Sequence, residues 1–355
     1  MNKLNNYLAA KYSTLKFIEE PIVSIYTSFE DEVKVLKYGV GIHNKSYTNI
    51  AKLNGKDVCA LLQRISTNDI DKLENFHYLN TLFLNEKGGL IDRTTLVKFE
   101  DDCYLVGSYD KVFRLQRWIE RYILNEDIGI ENISGEFLLL QVLGPQAESY
   151  LTLICGKEVD ELDNNKLHRV DIEGLKFHLL KKETLTGEKI YWIIGDIIDA
   201  VTIIDFMLTH TSVFDLAMIG EKALQSYRID EVIPAFPNEI NDKYNPIEAG
   251  LMKEVSTTKE NFIGYEVIHE FKISKEVERK LKKATIIGEF KNDLPFKLFD
   301  KTNNYIGTIT SAVKTEEKNK YHCLCYIESK FLENNDVIEI NYDGSNEVLK
   351  LKIKN

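Results

Sequence analysis

The residue types that most often bind metals or act as nucleophiles are scattered in this chain. The five cysteines lie at positions 59, 103, 155, 323 and 325, and none forms a Cys-x-x-Cys pair or a Cys/His group with zinc-ligand spacing. The seven histidines are isolated from one another, and no Ser-His-Asp or Cys-His grouping can be assigned. We therefore predict no metal site and expect the cysteines to be reduced packing residues.

Charged and aromatic side chains next to glycine turns are the stronger candidates for chemistry. The segment at 84–92 reads LNEKGGLID, and the segment at 259–266 reads KENFIGYE. Gly264 in the second segment indicates a backbone conformation or a close approach that only glycine accepts. These segments predict turns that place polar side chains at the ends of strands.

Length, composition and charge limit the possible classes of protein. A chain of 355 residues is too long for one ordinary hydrophobic core, so we expect two or three domains. The net charge of −11 argues against a general binder of nucleic acid or anionic membranes. No run approaches the roughly 20 apolar residues of a membrane helix, and residues 1–16 lack a signal-peptide core, so we expect a cytoplasmic location.

Hydrophobic periodicity predicts the elements that position these segments. Val58–Ile65 and Asp110–Tyr122 have helical spacing, and the run Phe137–Val142, apolar except for Gln141, suits a buried strand. From Ala284 to Lys354, apolar and polar residues alternate, with turn signals at 303–304, 334–335 and 343–344. That pattern predicts an all-β terminal module, in which Cys323 and Cys325 share one side of a strand.

Seven motifs, in this order, resemble the folate-binding aminomethyltransferase superfamily. The resemblance covers nearly the whole chain from Gly39 onward, and its strength lies in the order and spacing of the motifs. The matching segments are LNGKD at 53–57, LQRISTND at 62–69, LNEKGGLID at 84–92, LQVLGPQA at 140–147, TGE at 186–188, KENFIGYE at 259–266 and GTITSA at 307–312.

The resemblance implies an α+β fold of three domains arranged as a cloverleaf around a channel that holds folate. The first domain would comprise residues 1–47 and 137–235, interleaved with a second domain of residues 48–136 and 236–278. A C-terminal β-barrel would span residues 284–355. This family includes the T-protein of glycine cleavage, which passes a methylene group to tetrahydrofolate, and a folate-binding branch that supports iron–sulfur enzymes.

Several positions depart from the family pattern. T-proteins carry two successive aspartates after the Gly-Gly turn; Asp92 matches the first, whereas Arg93 occupies the second, catalytic position. The family's pterin-binding glutamate is replaced by Trp192, which cannot accept the two hydrogen bonds that a carboxylate offers. Asn261 stands where the iron–sulfur branch normally has a cysteine, so the hallmark residues of both branches are absent.

The resemblance, carried over residue by residue, gives the candidate site. Because Arg93 holds the position that is catalytic in the family, the neighbouring Asp92 is the candidate catalytic acid, although adjacent strand residues point to opposite faces unless a bulge shifts the register. The resemblance implies tetrahydrofolate or a derivative as the cofactor. The implied cofactor-binding residues are Arg93, Glu188, Trp192, Arg228, Lys259 and Glu266. Ordinary structural roles stand beside these assignments: a salt bridge for Arg93, a turn carboxylate for Asp92, a solvated loop tip for Glu188, and pairing of Arg228 with Asp230 or Glu231.

Three functions are compatible with these residues. The departures at Arg93 and Trp192 favour a tetrahydrofolate-binding accessory factor linked to iron–sulfur enzymes, acting with a protein partner. The first alternative is a folate-dependent one-carbon transferase that moves an aminomethyl or methyl group. The second is an interaction protein that keeps the fold without folate. Whether the chain is an enzyme stays open at this point.

Overall fold

The computed structural model describes residues 2–156, 159–184, 186–209, 213–274, 276–290, 293–300, 302–332, 337–341 and 348–353. The helices are α1 Asn2–Lys11, α2 Phe29–Tyr38, α3 Val58–Ile65, α4 Arg114–Glu120, α5 Ala147–Cys155, α6 Ala200–Leu208, α7 Glu221–Asp230, α8 Tyr265–Ser274 and α9 Ser329–Leu332.

The strands come mostly in runs of two to four between helices. They are β1 Lys16–Glu19, β2 Ile22–Ile25, β3 Val40–Asn44, β4 Ile50–Asn54, β5 His77–Leu84, β6 Leu90–Phe99, β7 Asp102–Val106, β8 Gly129–Asn132, β9 Phe137–Leu143, β10 His168–Ile172, β11 Leu175–Glu183, β12 Lys189–Asp196, β13 Leu216–Ile219, β14 Arg279–Ile287, β15 Phe296–Phe299, β16 Tyr305–Lys314, β17 Lys320–Glu328, β18 Val337–Asn341 and β19 Val348–Ile353.

The chain divides into two compact units. The first comprises Met1–Leu61, Ile70–Leu79 and Thr94–Tyr227, and the second comprises Leu62–Asp69, Asn80–Arg93 and Arg228–Asn355. Mixed α and β elements agree with the predicted α+β class, whereas the three-domain division stays a prediction. Within the described residues, no helix is both long enough and apolar enough to cross a membrane.

A six-stranded sheet organises the first unit, in the order β10-β11-β12-β9-β3-β13. Its neighbours are antiparallel except β3 and β13, which run parallel. One face is covered by α1, α5 and α6, whose apolar residues form a single cluster with inward residues such as Ile42, Val142 and Ile193. The predicted buried strand is β9, in the interior of this sheet.

The opposite face of the same sheet carries two smaller apolar clusters. One cluster includes Leu139, Leu180 and Trp192 and also contains first-unit residues of a sheet in the order β5-β6-β7-β4-β8. The other cluster includes Leu143 and Ile219 together with residues of α2 and α7. This second face therefore holds two hydrophobic areas at different places.

An antiparallel sheet in the order β15-β16-β17-β14-β19-β18 forms the C-terminal part of the second unit. Its two outer strands, β15 and β18, approach each other, so the sheet curls. The predicted β-rich module is present, but it also contains the short helix α9, and its first strand begins at Arg279 rather than at the predicted 284. Cys323 and Cys325 lie in its core, as predicted. The predicted turns at 334–335 and 343–344 lie outside the described residues.

The predicted helix Asp110–Tyr122 is wrong at both ends, because α4 spans only Arg114–Glu120. Phe113 has a left-handed backbone with a φ of 50°. The Asp110 carboxylate accepts hydrogen bonds from the N–H groups of Val112 and Arg114, at 2.9 and 3.1 Å. An acidic side chain that bonds nearby N–H groups favours a turn over continued helix, which explains the late start.

Candidate functional site

Asp92 and Arg93 are neighbours on β6 with different environments. Asp92 is fully buried, and its Oδ1 accepts the backbone N–H of Arg93 at 2.8 Å. The guanidinium of Arg93 forms a fork with the carboxylate of Glu254: Nε lies 2.9 and 3.0 Å from the two oxygens, and Nη2 lies 2.5 Å from Oε1. Arg93 is therefore held by an acid of its own unit.

The Arg93–Glu254 pair changes the electrostatics expected at position 93. Burial alone would lower the pKa of the Arg93 guanidinium, but the charge and hydrogen bonds of Glu254 outweigh it and raise that pKa. The cation in place of the family's aspartate is thus neutralised locally by a carboxylate. Sequence reasoning missed Glu254, which lies 161 positions away; its only signal was its place just before the KENFIGYE segment.

Lys259 and the turn at 66–68 form a second polar group in this unit. Lys259 is buried, and its Nζ donates to the carbonyl oxygens of Ser66 and Asn68 at 2.6 and 2.9 Å. The Thr67 hydroxyl donates to the backbone carbonyl of Glu254 at 2.7 Å. Lys259 and Glu254, the residue that holds Arg93, are therefore both hydrogen-bonded to the turn at 66–68.

Gly264 has the glycine-specific backbone conformation and close approach that the sequence predicts. Its φ is 84°, and a Cβ there would lie 2.7 Å from the backbone oxygen of Asn85 and 3.2 Å from the Cα of Gly88. The KENFIGYE segment is thus packed directly on the Gly-Gly turn. Glu266, in the first turn of α8, is exposed, and its ligand role stays a prediction.

Arg228 is held by a buried acid in the second unit. Its Nη1 donates to Glu239 Oε2 at 2.9 Å, and its Nη2 donates to the Ser311 hydroxyl at 2.5 Å. Glu239 also accepts from Thr310, at 2.5 Å. The alternative of an ion pair with a nearby acid is correct in kind, but the acid is Glu239 rather than Asp230 or Glu231.

Trp192, in the first unit, forms an aromatic and cationic cluster on β12. The Nζ of Lys182 lies 4.1 Å from the centre of the Trp192 ring and 4.6 Å from that of Tyr78, and it donates to the Thr95 hydroxyl at 2.7 Å. All four side chains are buried. Sequence reasoning found Trp192 but missed Lys182, which is one of two consecutive lysines on a strand that reads as ordinary.

The indole Nε1 of Trp192 is buried without a hydrogen-bond partner among the described residues. A buried donor left unpaired costs about 1–3 kcal/mol, and such donors in native proteins commonly pair with an ordered water or a ligand. The other predicted residue of this unit, Glu188, is exposed at the turn between β11 and β12. Its carbonyl oxygen accepts from the backbone N–H of Thr184 at 2.8 Å, and its own N–H donates to the Thr184 hydroxyl at 3.0 Å.

A buried histidine and a partly buried glutamate form a further cluster that sequence reasoning missed. His43 Nε2 lies 2.7 Å from Glu221 Oε1, and the Tyr47 hydroxyl donates to the same oxygen at 2.5 Å. Burial raises the pKa of the Glu221 carboxyl, but the charge and hydrogen bond of His43 and the hydrogen bond of Tyr47 lower it overall. His43 Nδ1 is buried with no partner in the described part of the chain.

Comparison with known proteins places this chain in a family. The family model "GCVT N-terminal domain" matches residues 5–259. Proteins named aminomethyltransferase are similar over most of the chain: that of Caldanaerobacter subterraneus is 27% identical over 89% of this chain and 84% of its own length, and that of Bacillus cytotoxicus is 26% identical over 93% and 88%.

Solved structures include one with the same fold. The glycine cleavage system aminomethyltransferase T from Bartonella henselae superposes with a TM-score of 0.79, at 18% identity, and covers 94% of this chain and 90% of that one. The agreement of the family model, the relatives and the fold confirms the resemblance seen in the motifs. The chain belongs to the aminomethyltransferase superfamily of the glycine-cleavage T-protein.

Proposed function

We propose that this protein is a tetrahydrofolate-dependent one-carbon transferase of the aminomethyl type. The observation that carries the proposal is the match to relatives named aminomethyltransferase over 84% or more of their length. These relatives favour the transferase, which was our alternative, over the accessory role beside iron–sulfur enzymes. Tetrahydrofolate, when bound, supplies the nitrogen atoms that accept the one-carbon unit.

We assign contact with the flat heterocycle of the cofactor to residues of the first unit. Trp192 offers a buried N–H donor and an aromatic surface, with the Lys182 ammonium against its ring. Apolar residues such as Leu139 and Leu180 adjoin them in the same cluster. A few polar groups set in apolar surroundings are typical of residues that contact small molecules.

Asp92 is the residue to which we assign proton transfer. Its carboxylate is buried on β6 and is oriented by the backbone N–H of Arg93 at 2.8 Å. Arg93 itself is occupied by Glu254, so we assign it the task of holding that acid and the strand in place rather than binding the tail of folate. A general acid or base contributes roughly 10²–10⁴-fold to a rate.

The test is an aminomethyl transfer assay with tetrahydrofolate and a lipoyl carrier protein loaded with the aminomethyl group. We expect ammonia release and methylene transfer by the unmodified protein, and a loss of about 10²-fold or more in kcat for Asp92→Asn. Asp71→Asn, at an exposed position, is the matched control and should keep full activity. Calorimetry with 5-formyltetrahydrofolate tests binding separately; absence of both turnover and binding would overturn the proposal.

A further inference from the structure

Two cysteines of the first unit, Cys59 and Cys103, lie against each other although they are distant in the sequence. Cys59 is the second residue of α3, and Cys103 is the second residue of β7. Both are free thiols, and their side chains are hydrogen-bonded to one another. The fold therefore brings two reactive sulfur atoms together within one compact unit.

The backbone explains why the two thiols meet. Cys103 pairs with Leu53 on β4, and only residues 55–57 separate the end of β4 from the start of α3. The Asp57 carboxylate accepts the backbone N–H of Asp127 at 2.9 Å, and Asp127 lies just before β8, the other neighbour of β4. The first turn of α3 is thus fixed beside the end of β4 at which Cys103 lies.

The two thiols differ in their access to solvent. Cys59 is half-buried, whereas Cys103 is 2% exposed. Burial, together with the charge and hydrogen bond of Cys59, raises the pKa of the Cys103 thiol to about 12, so this thiol is protonated at neutral pH. A buried, protonated thiol reacts slowly with small oxidants. A dissolved oxidant therefore reacts first at Cys59.

The second pair of nearby cysteines lacks both properties. Cys323 and Cys325 are fully buried, and each thiol donates to a backbone carbonyl of β14, at 3.4 and 3.5 Å. They are alternate residues of one strand, so their Cβ atoms point the same way and stay about 6–7 Å apart. A disulfide needs Cβ atoms about 3.5–4.5 Å apart. The pair on α3 and β7 is therefore the better placed to form a bond.

We propose that Cys59 and Cys103 form a reversible thiol–disulfide site that responds to hydroperoxides. The Cys59 sulfur attacks the O–O bond of hydrogen peroxide and becomes a sulfenic acid, and the departing oxygen takes the thiol proton and leaves as water. The Cys103 sulfur then attacks the Cys59 sulfur, and its proton leaves with the displaced hydroxyl as a second water. Two thiols thus lose two electrons and two protons, and one peroxide becomes two waters.

The bond joins α3 to β7, the elements before and after the chain segment that contains β5, β6 and Asp92. A dithiol such as dithiothreitol reverses the bond by exchange, in which the dithiol becomes a cyclic disulfide and both cysteines regain their thiols. The inference goes beyond the proposed transfer function and does not rest on it.

Mass spectrometry of the unmodified full chain tests the site directly. The protein is treated with hydrogen peroxide, the peroxide is removed with catalase, free thiols are blocked with iodoacetamide in urea, and trypsin is added without reduction. Trypsin releases residues 57–64 and 99–111, which carry the two cysteines, so the disulfide appears as one linked pair of peptides. We expect this pair, its loss after dithiothreitol, and a fall from five free thiols by two.

Single variants show which thiol reacts first. In Cys103→Ala the sulfenic acid of Cys59 has no partner, so dimedone should label Cys59 at least about 5-fold more than in the unmodified protein. In Cys59→Ala, Cys103 should keep its free thiol, because it is buried. Cys155→Ala, at another buried cysteine, is the matched control and should give the linked peptides in unchanged yield.

The decisive measurement is made on the unmodified protein, so it stands even where a variant does not fold. Five free thiols after peroxide treatment would overturn the inference, and so would Cys59 oxidised to sulfinic acid without the linked peptides. Linked peptides that join Cys59 to a cysteine other than Cys103, or a crosslinked product that runs as a dimer on a non-reducing gel, would also overturn it.

Discussion

Replacing Arg93 tests whether its charge serves the fold through Glu254. In Arg93→Met the side chain keeps most of its length but leaves the Glu254 carboxylate without the fork that holds it. The side chain of Glu254 is 7% exposed and that of Arg93 is 22% exposed, so the pair is mostly removed from water. The orphaned carboxylate must then bear the desolvation that the guanidinium now offsets.

The size of the effect follows from the burial of the two partners. Removing one member of a buried ion pair costs about 3–5 kcal/mol, because an unpaired charge remains inside the protein. Arg93 is partly accessible, so water can approach the vacated position and reduce the penalty to about 2–4 kcal/mol. Removing both charges in Arg93→Met/Glu254→Gln should recover about half of that loss or more.

Urea unfolding of the four proteins, followed by tryptophan fluorescence, measures the coupling between the two side chains. We expect a coupling energy of about 2 kcal/mol and unchanged denaturant slopes. The reasoning also predicts that Arg93→Asp, which restores a second aspartate, is more destabilising than Arg93→Met, since it faces Glu254 with like charge. A loss below about 1 kcal/mol in Arg93→Met, with no recovery in the double variant, would refute it.

Three further outcomes follow from the second unit. Gly264→Ala should lower the free energy of unfolding in urea by at least about 2 kcal/mol, because strain at a φ of 84° adds to a Cβ contact of 2.7 Å. The control Gly250→Ala, with a φ of 73° and open space around the Cβ, should lower it by only about 1 kcal/mol. Equal losses in the two variants would contradict the role of the Cβ contact. Lys259→Met should lower the free energy of unfolding by about 2–4 kcal/mol in the same assay, since two charged hydrogen bonds to backbone carbonyls are lost. A loss below about 1 kcal/mol would show that the turn at 66–68 is stable without Lys259. The backbone N–H and side chain of Asn304 lower the pKa of Asp300 to about 2, so its contribution to stability is present above about pH 4 and is lost as the pH falls towards 2; an NMR titration that gives an ordinary value near 4 would disprove this.

Local patterns in the sequence predicted the features that local physics decides. The run at 137–142, apolar except for Gln141, became β9 because apolar clusters pack on both faces of this strand. Cys323 and Cys325 were predicted to share a side because side chains alternate along any strand. The motifs near Gly264 were recognisable because the φ and close approach of a glycine restrict that position to one residue type.

Pairings between distant residues were out of reach of the same patterns. Glu254 is an ordinary acid in sequence, and only the fold sets it against Arg93. His43 was dismissed as an isolated histidine, yet the parallel pairing of β3 with β13 places it next to the start of α7, where Glu221 lies. The prediction of where α4 begins was wrong for a local reason, since the Asp110 side chain accepts hydrogen bonds from backbone N–H groups that would otherwise join the helix.

The two departures from the family pattern share one physical property, which limits what single substitutions can restore. The cation of Arg93 is matched by the carboxylate of Glu254, and the indole of Trp192 carries the ammonium of Lys182 against its face. An aspartate introduced at 93 would therefore meet an existing acid, and a glutamate introduced at 192 would meet an existing cation and pair with it. In each case the charge of a neighbouring protein side chain would act on the new carboxylate and compete with any ligand for it. The chemistry at these positions belongs to pairs of residues, so the family's acids would return only if both members of each pair were changed together.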